Sequence, residues 1–240
     1  MPLTLGAVMR AALIAGVLAG LTAAVFHFVL TEPLIDRAIT LETLRHQAEG
    51  TYAEPVVSRG TQQAGLFVGY VLYGVTWSLL FGAAFHLVQR WLPGSTPLRR
   101  GLILALLGYW SVALLPGLKY PANPPGVGDP ETIGYRQALY LGLLALSVAG
   151  TAVAVLAAYR ARRGWWPSAA VLVVVAGLVF LVLPGNPDTI GMPADIVRPF
   201  RLLSVAGLTL FWAVMGLAFG LLLPRERRAR LEVRAGVASP

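Results

Sequence analysis

Apolar residues gather along the chain into six long stretches separated by polar segments: about 7–30, 66–88, 101–118, 137–159, 166–183 and 202–223. A bilayer crossing needs ~20 mostly apolar residues. Lipid offers no partner to an open backbone N–H or C=O, so each stretch is predicted to be helical. The expected fold class is all-α, a multi-pass transmembrane helix bundle of about six spans built from helix–outer loop–helix units. The third and fifth stretches are short and run into Pro116-Gly117 and Pro184-Gly185, so five spans is the competing count. We expect one transmembrane domain over residues 1–223 and a basic tail over 224–240. Thr22-Ala23-Ala24 weakly matches a cleavage site. The apolar run through Leu30 is too long for a signal core, so the first stretch is expected to remain as a span.

Composition agrees. Apolar residues make up 57% of the 240 and charged residues 12%, against about 25% charged in soluble domains. A chain this apolar is not a soluble nucleic-acid binder, despite its net charge of +8. The absence of cysteine excludes disulfides and thiolate metal sites.

Charge also sets orientation. The N-terminus, the 89–100 and 160–165 loops and the tail hold twelve basic residues against two acidic ones. The 31–65, 119–136 and 184–201 loops hold seven against nine. The positive-inside rule then places both termini in the cytoplasm and the three long loops outside. The net charge thus records topology, and the outer face is mildly acidic. The Arg-rich tail from Arg225 is expected to meet anionic inner-leaflet lipid.

Candidate chemistry lies in those outer loops. Glu32 and Asp36 are four residues apart and share a helix face. His27 sits about one turn below them. Asp129 and Glu131 lie in the second loop, Asp188 and Asp195 in the third. Imidazole and carboxylate without sulfur suit a divalent ion such as cobalt, nickel, zinc or manganese. Solvated loop acids with no ligand at all are the plainer reading of each one. His86 lies near the inner end of the second stretch, roughly 30 Å from the His27 level. The two histidines therefore mark separate ends of a pathway rather than one site. Pro-acid-Thr-Ile-Gly occurs twice, at 130–134 and 187–191, each time between two apolar stretches, and predicts a parallel repeat. Gly16/Gly20, Gly65/Gly69 and Gly216/Gly220 are small-residue stripes that predict close helix packing. Trp110, Trp166 and Tyr159 fit interfacial belts. No Walker loop, His-Glu-x-x-His or Gly-x-Ser-x-Gly is present, so neither ATP hydrolysis nor those hydrolase chemistries is expected.

The loops also resemble a known family. Lys119-Tyr120-Pro121-Ala122-Asn123-Pro124-Pro125, running on to Gly134, is similar to the second outer loop of the CbtA family of predicted cobalt transporter subunits. The segments 26–36, 57–66, 193–196 and Phe200-Arg201 are similar to further parts of that family. The resemblance implies a multi-pass inner-membrane protein for cobalt uptake, linked to cobalamin supply. It also implies a small single-span partner, CbtB, with a terminal His cluster. The expected partners are thus the bilayer, a CbtB-like subunit and a divalent ion, without nucleic acid. No cofactor and no enzymatic activity are expected. The two rival readings are a non-transporting scaffold for another transporter and a membrane-embedded enzyme acting on lipid.

Overall fold

The computed structural model describes residues 3–51, 54, 56–161 and 166–223. The predicted tail at 224–240 lies outside the described residues, as do Arg162 and Arg163. The described chain is helical, with α1 Leu5–Leu30, α2 Glu32–Ala48, α3 Arg59–Val88, α4 Pro97–Tyr109, α5 Leu115–Lys119, α6 Ile133–Ala161, α7 Trp166–Val182 and α8 Ala194–Leu222. A π-turn at Trp110–Leu114 joins α4 to α5. Pro116 has no N–H, and its ring crowds the carbonyl four residues back. The wider turn accommodates that crowding, with Leu115 N–H donating to the Trp110 carbonyl. The third span therefore runs through Pro116-Gly117 instead of ending there, and covers Pro97–Lys119.

Five helical segments are long and apolar enough to cross a membrane. α7, at 17 residues, is shorter; at 1.5 Å per residue it spans ~26 Å. Its path is nevertheless a full return. Near its start, Ser168 Oγ donates to the Ala154 carbonyl, low on α6. At its far end, the Tyr120 hydroxyl donates to the Pro184 carbonyl beside the outer loops. The described residues thus hold five helices of spanning length and one shorter apolar helix that runs back alongside α6.

Membrane helices gain little from apolar burial against one another, so close packing decides which pairs form. Gly16 and Gly20 of α1 face Gly74 and Tyr70 of α3 backbone to backbone, with no room for a β-carbon. Gly216 of α8 meets the Ala105 side chain of α4 and Gly220 meets the Leu98 backbone, again with no room for a β-carbon. The third stripe behaves differently: nothing lies within 4 Å of a β-carbon built on Gly65 or Gly69. The core of this four-helix group is aromatic. Phe85 and Phe219 rings lie 4.7 Å apart, Phe81 and Phe219 4.9 Å, and Tyr73 and Phe211 5.0 Å, all T-shaped. α6 and α7 form a hairpin packed on α5 through Leu115, Leu143, Val175 and Val179. Trp110, expected at an interface, instead packs against this cluster about ten residues below the outer end of its span.

The 31–65 segment, expected outside, is not wholly a loop, because it contains α2. Pro33 cannot donate a hydrogen bond, so the chain breaks at Thr31 and restarts with Pro33 in the first turn. Ala38 of α2 then packs on Met192, Ile196 and Val197. The repeated pentapeptide also diverges: Ile133-Gly134 opens α6, whereas Ile190-Gly191 is irregular and α8 starts at Ala194.

The glycine contacts give a direct test. Gly74→Ala and Gly69→Ala gain the same helix propensity, but only the first meets backbone. In detergent, Gly74→Ala is expected to lose ~1–3 kcal/mol, while Gly69→Ala stays within ~0.5 kcal/mol of wild type. Thermal unfolding followed by circular dichroism measures both.

Candidate functional site

Three segments that are distant in sequence meet at one end of the bundle: α2, the 120–132 loop and the 183–193 loop. Arginines hold them together. Arg37 Nη2 donates to Asp195 Oδ2 at 2.9 Å. Arg45 Nη2 donates to the Gly191 carbonyl at 2.7 Å. Arg201 Nη2 donates to Asn123 Oδ1 at 2.8 Å, which ties the Lys-Tyr-Pro-x-Asn-Pro-Pro segment to α8. Partial burial, with Tyr135 nearby, raises the Tyr120 phenol above its ordinary value. A phenol is protonated at neutral pH in any case, and this one donates to the Pro184 carbonyl.

Arg59, the first residue of α3, bridges Glu32 and Asp36. Its Nη2 donates to Glu32 Oε2 and, at 2.6 Å, to Asp36 Oδ1, while Nε donates to Asp36 Oδ1 at 3.0 Å. The two carboxylates differ in setting. The Glu32 side chain is 7% exposed and the Asp36 side chain 54%. Glu32 is therefore the charge that depends most on its partner.

Asp188 is the second organising carboxylate, with its side chain 4% exposed. It accepts from Thr132 Oγ1 at 2.7 Å and from the Asp129 backbone N–H at 3.2 Å, and it lies 3.1 Å from Arg136 Nε. The two copies of the repeated motif thus bond to each other. Asp129 uses its own side chain to cap the short turn at Pro130–Thr132, accepting from the Glu131 N–H at 2.9 Å.

His27 lies deeper, in the last turn of α1. Its Nδ1 is 2.8 Å from Thr31 Oγ1. The ring stacks on Tyr70 at 5.1 Å and meets the Phe26 ring edge-on. Gly207 of α8 presses against Nε2, where a β-carbon would collide. His86 stands sixteen residues beyond Tyr70 on α3, ~24 Å further along the helix axis. Its Nδ1 is buried without a partner. Between the two levels the core is filled by the apolar and aromatic side chains of α1, α3 and α8.

Of the residues singled out from sequence, Glu32 and Asp36 are brought together on Arg59, and Asp188 is brought to the Asp129 backbone. Asp195 is paired separately with Arg37. Among the described residues, no three His, Asp or Glu side chains converge on a point that could hold a metal ion. Sequence reasoning missed the arginines, whose partners appear only when the loops meet. Seven basic residues within a net-acidic outer set were the available signal.

The family of probable cobalt transporter subunits (CbtA) matches residues 6–224, nearly the whole chain. The chain belongs to the CbtA family. No curated protein and no solved structure matches it. Membership and architecture together make this CbtA chain a multi-pass membrane subunit for cobalt uptake, with the carboxylates of its described residues gathered at one end.

A thermodynamic cycle tests the Arg59 bridge. Arg59→Gln leaves Glu32 buried without a cation and is expected to cost ~1–3 kcal/mol. Asp36→Asn, at an exposed pair, should cost under ~1 kcal/mol. Combining Glu32→Gln with Arg59→Gln should recover most of the loss. Equal costs for Arg59→Gln alone and for the Glu32→Gln/Arg59→Gln double variant, read by thermal unfolding, would refute the dependence of Glu32 on Arg59.

Proposed function

We propose that the end bearing α2 faces outward and captures a divalent cation, cobalt, at Glu32 and Asp36. The observation that carries this reading is the convergence of both carboxylates on one positive group. Arg59 holds the pair in the absence of metal, and an incoming doubly charged ion competes for the same oxygens. The acids at Asp129, Glu131, Asp188 and Asp195 raise the local cation concentration. His27 is the next nitrogen inward, and reaching it requires its ring to turn away from Gly207. His86 serves at the inner side.

The protein resides in the inner membrane with both termini in the cytoplasm, following the charge bias between the two sets of loops. It supplies cobalt for cobalamin synthesis and is not an enzyme. The aromatic core between the His27 and His86 levels favours a path completed with another subunit over a pore within this chain. A single-span CbtB-like protein, with a terminal His cluster, is that partner. The same core gives specific support to a second reading, a scaffold that conducts nothing itself.

Cobalt accumulation in cells separates the two readings. With the partner present, Glu32→Ala and His27→Ala are expected to lower uptake at least several-fold. Unchanged uptake would remove those residues from the site. Loss of uptake on deleting the whole chain, with Glu32→Ala and His27→Ala both at wild-type uptake, would leave only the scaffold reading, and no change on deletion would refute both.

A further inference from the structure

At the end opposite the carboxylates, α6 stands away from α3 and leaves a groove of about 940 Å³. Along α6 it extends from Leu144 to Tyr159, fifteen residues or ~22 Å. That exceeds the ~15 Å of hydrocarbon in one leaflet. Its walls are apolar. The hydroxyls that reach it, Ser111 and Thr151, already donate to the carbonyls of Gly108 and Ser147 in their own helices. It therefore offers hydrocarbon a surface and offers a hydrated ion no ligand. Trp212 of the central helix α8 forms part of the lining, so the groove cuts inward past the outer surface of the bundle.

The groove ends between Trp91 and Tyr159, whose rings are 6.3 Å apart. Arg90 lies there with its guanidinium 4.8 Å over the Trp91 ring, and Arg160 follows Tyr159. The described residues of this end also carry Arg10, Arg99 and Arg100, and no carboxylate. An apolar channel longer than one leaflet's hydrocarbon, opening among arginines and aromatic rings, matches a molecule with an acyl tail and a negative head.

We propose that this groove is a binding site for an anionic phospholipid. An acyl chain lies between α3 and α6, and the phosphate sits beside Arg90 and Arg160. The site is separate from the metal-capturing end and would keep the α6–α7 hairpin at its distance from α3.

The test uses the full chain in mixed micelles holding equal phosphatidylglycerol and phosphatidylcholine. Native mass spectrometry reads the bound lipid. Phosphatidylglycerol is expected to be retained at least tenfold over phosphatidylcholine. Arg90→Gln with Arg160→Gln should abolish that preference, and Ala149→Trp, which fills the groove, should abolish retention. Leu181→Trp, on the exposed face of α7, should change nothing. Absence of a headgroup preference in wild type, or full retention by Ala149→Trp, would overturn the proposal. A milder probe guards against misfolding. The chain has no cysteine, so Ala149→Cys carries a single thiol. Phosphatidylglycerol, but not phosphatidylcholine, should slow its reaction with a membrane-soluble maleimide. Equal rates, or efficient cross-linking of that thiol to another polypeptide in native membranes, would also overturn it.

Discussion

The contact of α1 with α3 through bare backbone governs much else in this molecule. Gly16, Gly20 and Gly74 remove the side chains that would hold the two helices apart. Dispersion between tightly fitted surfaces is what membrane helices have in place of a hydrophobic driving force. The approach brings Tyr70 under the His27 ring and the start of α3 up to the start of α2. Arg59 meets Glu32 and Asp36 for that reason. A wider interhelical gap would separate the positive group from both carboxylates. The electrostatics of the carboxylate-bearing end therefore rest on glycine positions buried in the bundle.

The carboxylate-bearing end is an interlocked surface. Loop segments on their own would be free to wander, but here each is tied to another by a charged or polar side chain. Asp188 joins the second and third outer segments, Arg37 and Arg45 join α2 to the third, and Arg201 joins α8 to the second. Proline-rich loops reinforce this, because they lose less conformational freedom when held. Carboxylates that first looked like an open, solvated collection of ligands are mostly engaged in holding the structure. An ion that uses Glu32, Asp36, Asp188 or Asp195 has to compete with an arginine.

Hydrophobic runs made the spans and the fold class legible, since a bilayer imposes its thickness directly on the sequence. The lengths erred where polar residues extend a helix past the lipid, as at Arg59 and at Ala194-Asp195. Glu32 and Asp36 were legible as neighbours because four residues is a helical repeat. Their partner Arg59 was not, since a 27-residue separation is bridged only by the fold. Likewise Gly65/Gly69 and Gly16/Gly20 carry the same spacing, and nothing local says which pair finds a neighbour. The twin Pro-acid-Thr-Ile-Gly motifs show the same limit: one opens a helix, and the other bends to bond with it.

The widened turn at Trp110–Leu114 has a geometric consequence. One extra residue in a helical turn advances the phase of everything after it by about 100°. Before the turn, Gly101, Ala105 and Gly108 present one stripe to α8. After it, Leu115 points instead into the cluster formed with α6 and α7. A regular helix would keep a single azimuth and serve one neighbour. The phase slip lets one rod address two partners on different sides, and so couples the glycine-packed group to the hairpin that follows.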